Sequence, residues 1–249
     1  MTPWPVANPW SAPVLYLEST LSTMDDAQRL EEQGYPSGTV VVAGFQERGR
    51  GRHPERVWTA EPGKNLLFTL MLSLPVDFPP QRLPLLAGLA LALAVEEGFG
   101  LSCQVKWPND LLHEGRKLAG ILCLARSRAQ APARAFVGVG LNCNQRSFAP
   151  ELSGKACSLA GLLGREVALP ELLADVLGAL KAALRDGDWR ARLQRRLYGV
   201  GREARLVQDG GPALAGCLRG VAEDGALLLE SAGAIHPVYS GELLFQPEA

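Results

Sequence analysis

Apolar residues along this chain follow two rhythms. Short continuous runs, VLYLE at 14–18, TVVVAG at 39–44 and NLLFTLMLSL at 65–74, are bounded by polar or Gly- and Pro-containing stretches and read as strands. CQV at 103–105, RKLAGILCLA at 116–125 and AFVGVGLNCN at 135–144 read the same way. Helical patterns lie between them. TMDDAQRLEE at 23–32 predicts a helix with Ser22 or Thr23 as N-cap and acidic residues in its first turn. Residues 79–100 contain a largely buried helix that ends near Gly98 or Gly100. Over 171–185, Leu172, Leu173, Val176, Leu177, Leu180 and Leu184 share one face, and a shorter helix from Trp189 to Leu197 follows.

From about Gly199 the texture changes. REARLV, GCLRGV, GALLLE, IHPVYS and ELLF are short strands separated by Gly-containing turns, which predicts a small β-barrel. The expected organisation is an extended N-terminal arm over 1–13, with its four prolines, an α+β domain over 14–198 and a β module over 199–249.

Composition narrows the function classes. A 249-residue chain that is 47% hydrophobic and 20% charged can bury a sizeable core. Its net charge of −1 gives no global attraction to nucleic acid or an anionic membrane, so a charged substrate must be met locally. The N-terminus lacks the basic and apolar regions of a signal peptide, and LLAGLALALAV at 85–95 is too short to span a bilayer. Cys103, Cys123, Cys143, Cys157 and Cys217 stand singly, the pattern of reduced thiols in a cytoplasmic protein. The three histidines have no metal-ligand spacing, so no metal held by the protein alone is expected.

Two polar stretches interrupt the apolar pattern. KWPNDLL at 106–112 is good turn chemistry, yet it sets Lys106, Asn109 and Asp110 together after a strand; the residues alone allow a plain turn or a site. In QERGRGRHPERVW, Arg48, Arg50, Arg52, His53 and Arg56 crowd together and repel one another unless an anion arrives. The glycines let the backbone approach a ligand, and N–H groups with guanidinium forks suit a phosphate. The spacing is neither a Walker A loop nor GxGxxG, and a solvated basic loop or a nucleic-acid contact remains open on this evidence.

In chain order these stretches are ST at 22–23, QxxGRGR at 46–52, Trp58, PGxNL at 62–66, KWPND at 106–110, KxxGIL at 117–122, GxGxN at 138–142 and the C-terminal β module. Together they resemble the biotin protein ligases. The resemblance implies an α+β fold: a mixed-sheet catalytic domain of the biotin/lipoate ligase type with a small SH3-like C-terminal barrel. It implies ATP with Mg2+, biotin as substrate, and a two-step reaction through biotinyl-5′-AMP to a lysine of a biotin carboxyl carrier protein. It also implies the ligase-only form in the cytoplasm, without DNA or membrane as partner, as monomer or homodimer. A lipoate or octanoate transferase, or a biotin-binding regulator without turnover, is the alternative.

The resemblance assigns biotin contacts to Ser22, Thr23, Met24, Gln46, Gly49, Arg50, Gly51, Arg52 and Lys117. Trp58, Asn65, Lys106, Asn109 and Asn142, with Arg50 and Arg52, are assigned to ATP or the adenylate. Lys117, Arg52, Asp110 and Lys106 are the implied catalytic groups. Met24 stands where the family often has Asn, so its backbone is the expected contact. GRGRHPERVW departs from the usual GRGRxGRxW: Pro54-Glu55 replaces a single Gly and lengthens the loop by one residue.

Overall fold

The computed structural model describes residues 1–52, 57–128, 131–208 and 213–245. In chain order the elements are β1 (Thr2–Pro3), β2 (Val14–Thr20), α1 (Thr23–Glu32), β3 (Val40–Gln46), β4 (Gly49–Arg50), β5 (Val57–Trp58), β6 (Leu66–Leu74) and α2 (Arg82–Phe99). Then come β7 (Gln104–Lys106), β8 (Asp110–His113), β9 (Arg116–Arg128), β10 (Ala131–Leu141), a 3-10 turn (Pro150–Leu152), α3 (Leu159–Leu163), α4 (Leu169–Ala183) and α5 (Trp189–Gln194). The last five strands are β11 (Glu203–Val207), β12 (Leu214–Val221), β13 (Leu227–Ser231), β14 (Ala234–Val238) and β15 (Glu242–Phe245).

Eight strands form one mixed sheet in the order β1-β2-β3-β6-β10-β9-β8-β7. Only β2 and β3 pair in parallel, joined by α1; the other pairs are antiparallel. The period of two along each strand divides the side chains between two faces. Val40, Val42, Phe68, Leu70, Leu72, Val137 and Val139 belong to the large core shared with α2 and α4. Val41, Met71 and Phe136 face the other way and pack on Met24, Ala27 and Leu30 of α1. That second face is only partly covered by α1, and the exposed remainder holds the site.

α2 is apolar all round because it is sandwiched between the sheet and α4, and twelve of its residues are buried. It ends at Gly100 in the left-handed conformation, φ 69°, which a residue with Cβ adopts poorly. α1 starts on Ser22, whose side chain accepts from Met24 N, with Asp25 and Asp26 in the first turn.

Two features differ from the sequence reading. The arm is not merely extended: Thr2–Pro3 pairs antiparallel with Leu15 and Tyr16, so it adds an edge strand to the sheet. The stretch after KWPN continues as strand β8, whose two buried leucines are too short a run to show a period. The C-terminal strands form the expected small antiparallel β module, in the order β14-β13-β12-β11-β15. The Pro54-Glu55 insertion, with His53 and Arg56, lies outside the described residues.

Candidate active site

The KWPND stretch is a turn whose residues line a cavity. Lys106 and Asp110 are partners across the β7–β8 hairpin, and the turn between them contains a cis Trp107–Pro108 bond. Trp107 is buried and anchors the turn in the core. Asn109 bonds the turn to the neighbouring strand: its Nδ2 donates to Ile121 O at 2.9 Å, and its carbonyl accepts from Ile121 N at 2.9 Å. Lys106 and Asp110 are thereby held on one rim. Lys117, near the start of β9, reaches across with its Nζ 2.7 Å from Asp110 Oδ1. Both side chains are partly exposed, so solvent screens the pair and an arriving anion can compete for the ammonium.

The other end of the cavity is a hydroxyl and amide cluster. Gln46 Oε1 accepts from Thr23 N at 2.8 Å and from Thr23 Oγ1 at 3.0 Å. Thr23 Oγ1 lies 2.9 Å from Thr69 Oγ1. The cap geometry of α1 delivers Ser22 and Thr23 here, and the end of β3 delivers Gln46. Between the two ends the sheet surface is flat. Gly120 and Gly140 are direct partners on β9 and β10, and Gly138 stands opposite Thr69 of β6. The ring of Trp58 lies over this glycine pair: a Cβ at Gly140 would fall 2.5 Å from Trp58 Cε2, and one at Gly120 2.9 Å from Cζ3. Lys117 Nζ lies 5.7 Å from the centre of the same ring.

Arg50 and Arg52 of the basic stretch line this cavity. Arg50 pairs with Asp25 of α1 at 2.7 Å. Arg52 donates to Gly241 O of the C-terminal sheet at 2.6 Å. The resulting cavity, about 150 Å³, is lined by Ser22, Thr23, Met24, Gln46, Arg50, Gly51, Arg52, Trp58, Lys106, Asn109, Asp110 and Lys117, all named from the sequence. Thr69, Gly120, Gly138, Gly140, Glu242 and Leu243 also line it. The glycines left a legible signal, since Gly inside a strand marks close approach of another group. Thr69, the one polar residue in LLFTLML, left a weaker one. Nothing in ELLF pointed to Glu242 and Leu243.

Three expected contacts are not in the cavity wall. Gly49 lies behind it, against Trp58 O. Asn65 Oδ1 accepts from Cys143 N at 2.9 Å, and its Nδ2 donates to Gln145 Oε1 at 2.6 Å. Asn142 Nδ2 donates to Cys157 O at 3.1 Å. Both amides are buried, and they secure the loop after β10 because unpaired buried polar groups would be costly there.

A mixed sheet with one face open, a basic glycine stretch and a Lys–Asp pair thus meet a hydroxyl and amide cluster in one cavity. The chain belongs to the biotin/lipoate A/B protein ligase family, whose match covers residues 16–142. It is 32% identical over 240 residues to the bifunctional ligase/repressor BirA of Bacillus subtilis, covering 92% of this chain and 73% of the relative. It is 30% identical over 252 residues to the biotin–[acetyl-CoA-carboxylase] ligase of Paracoccus denitrificans, covering 92% and 99%. The structure of the Aquifex aeolicus biotin protein ligase in complex with biotin and ATP superposes with a TM-score of 0.81 at 28% identity, covering 94% of this chain and 99% of that one.

Proposed function

We propose that this cavity activates biotin with ATP and delivers the acyl group to a lysine of a biotin carboxyl carrier protein. The chain is a biotin protein ligase. The observation that carries the reading is one cavity with a hydroxyl and amide cluster at one end, the Lys117–Asp110 pair on the KWPND rim, and Arg50 and Arg52 in its wall. Such a cavity suits a ligand with a neutral polar head, an apolar middle and an anionic tail. Biotin has that form: the ureido ring faces Ser22, Thr23 and Gln46, and the carboxylate faces Lys117.

In the first step the biotin carboxylate oxygen bonds to the α-phosphorus of ATP, the bond to the β-phosphate bridging oxygen breaks, and pyrophosphate leaves. Two anions approach each other, and Lys117, Arg50 and Arg52 supply the opposing charge. Asp110 holds Lys117 until then. ATP would bring Mg2+ on its phosphate oxygens, where the ion would offset their charge, and the Asp110 carboxylate on the rim would be available to orient it. Lys106, Asn109 and Trp58 border the nucleotide, whose base requires Trp58 to shift from or stack on the glycine pair. Gly51 brings its backbone close to the phosphate. In the second step the carrier's lysine nitrogen bonds to the acyl carbon, the carbon–oxygen bond to AMP breaks, and Asp110 accepts the amine proton.

A second cavity, about 750 Å³, opens beside the first and shares Arg52, Trp107, Pro108, Asn109 and Glu242 with it. Its walls come from Arg52, from residues 80–125 and from 207–242. We assign it to the acceptor: the carrier's lysine-bearing segment enters here, between a catalytic domain over 14–198 and a C-terminal module over 199–249. No helix among the described residues is long and apolar enough to cross a membrane. Five free cysteines and the use of ATP fit a cytoplasmic reaction. The test is pyrophosphate release: biotin supports it and lipoate does not. Equal release with both acids contradicts the biotin assignment.

A further inference from the structure

The second cavity is bounded by the start of α2 on one side and by the β12–β13 turn, residues 222–226, on the other. Gly225, with φ 94°, lets this turn lie directly on the helix start: a Cβ there would fall 2.8 Å from Arg82 N and from Gln81 C. Arg82 grips the turn. Its Nε and Nη2 donate to the Glu223 carbonyl oxygen at 3.0 and 2.7 Å, and Nη2 lies 3.4 Å from Glu223 Oε1. The guanidinium also lies against the rings of Phe78 and Trp189, 5.6 and 5.1 Å from their centres. Trp189 Nε1 donates to the same Glu223 carboxylate at 3.4 Å.

The gripped turn continues to the groove wall. Asp224 Oδ1 accepts from Ala226 N at 3.0 Å, and its Oδ2 accepts from Tyr239 OH at 2.8 Å. Tyr239, 54% exposed, lines the second cavity with Ser240 and Gly241. Arg82 itself lines neither cavity. A planar fork that takes two hydrogen bonds while its faces stack is something a lysine cannot reproduce.

We propose that Arg82 is a positioning residue for acceptor docking: by clamping the 222–226 turn it holds Tyr239 in place and sets the width of the groove that admits the carrier. The proposal rests on the assignment of the second cavity to the carrier. A lysine side chain spans only about 6 Å beyond its own backbone, so the carrier must seat within that distance of Asp110. A loosened groove then costs docking rather than chemistry.

The experiment uses full-length Arg82→Ala and Arg82→Lys with the biotin carrier domain of an acetyl-CoA carboxylase. It reads KM and kcat for the carrier, the single-turnover rate of biotinyl-adenylate formation, and discharge of the bound adenylate by hydroxylamine. Hydroxylamine is a small nucleophile that needs no groove. Arg82→Ala is expected to raise the carrier KM at least tenfold, with adenylate formation and hydroxylamine discharge within about twofold of the unaltered protein. Arg82→Lys keeps the charge, carries the test if the alanine variant does not fold, and is expected to raise the carrier KM at least threefold. A carrier KM within twofold in the folded variants, or a parallel fall in hydroxylamine discharge, overturns the proposal. If the unaltered protein forms adenylate but its carrier KM responds to no substitution along the second cavity, the groove assignment fails instead.

Discussion

Lys117→Ala separates a catalytic cation from a structural one. Lys117 Nζ touches Asp110 Oδ1 at 2.7 Å, and the side chains are 38% and 25% exposed. An ion pair so exposed contributes about 0–1 kcal/mol to folding, and truncating Lys117 at the strand start opens no core cavity. The variant is therefore expected to fold. In the first step, however, the biotin carboxylate and the α-phosphate must meet without their nearest ammonium. Removing one preorganised charge-stabilising contact costs about 3 kcal/mol, roughly a hundredfold in rate. Asp110 aggravates the loss, because the carboxylate that Lys117 neutralised now faces both anions. The double variant Lys117→Ala/Asp110→Asn removes that repulsion and is expected to recover part of the rate, leaving the loss of the clamp itself. Lys117→Arg is expected to recover little, since a wide planar fork does not fit where a compact ammonium sits. The assay is single-turnover formation of biotinyl-adenylate, with circular dichroism as the folding control. A near-normal rate in Lys117→Ala refutes the assignment and moves the anion clamp to Lys106 or Arg52.

Gln46→Leu removes the acceptor that takes both the amide N–H and the hydroxyl of Thr23. It is expected to raise the biotin KM at least tenfold while leaving the KM for ATP within twofold; equal changes in both would deny Gln46 a place at the biotin end. The thiols offer a different check. Burial pushes Cys103 and Cys143 up to about 12 and Cys157 up to about 11, with Glu96 adding to the effect at Cys103. Thiols with pKa values of about 12 and about 11 are ionised about one part in ten thousand and about one part in a thousand at pH 8, so native protein is expected to leave these three unlabelled by iodoacetamide until denaturant is added. Rapid native labelling at Cys143, read by peptide mass, contradicts the buried placement.

The sequence made some levels of this structure legible and hid others, for physical reasons. Helix α1 spans Thr23–Glu32, as its cap and acidic first turn predicted, because both signals are local. The site residues that line the cavity were readable where a motif surrounds them, as in KWPND and GRGR. Asn65 and Asn142 sit in motifs too, but their amides satisfy the buried backbone of the loop after β10, and short motifs do not reveal which way a side chain turns. Glu242 and Leu243 reach the cavity from a sheet more than a hundred residues away in sequence, and three-dimensional packing, including α2 on the 222–226 turn and Arg52 on Gly241, brings them there. Strand β1 was hidden because a two-residue edge strand containing Pro has no period to read.

The central claim is that one cavity joins biotin to AMP before any carrier arrives. Its most direct test incubates the purified protein with biotin, ATP and Mg2+, removes free ligands, and measures by mass what the protein retains. The account predicts biotinyl-5′-AMP, up to one equivalent per chain, with pyrophosphate in the supernatant and no adenylate when biotin is omitted. Retention of unmodified biotin with no pyrophosphate released would contradict it.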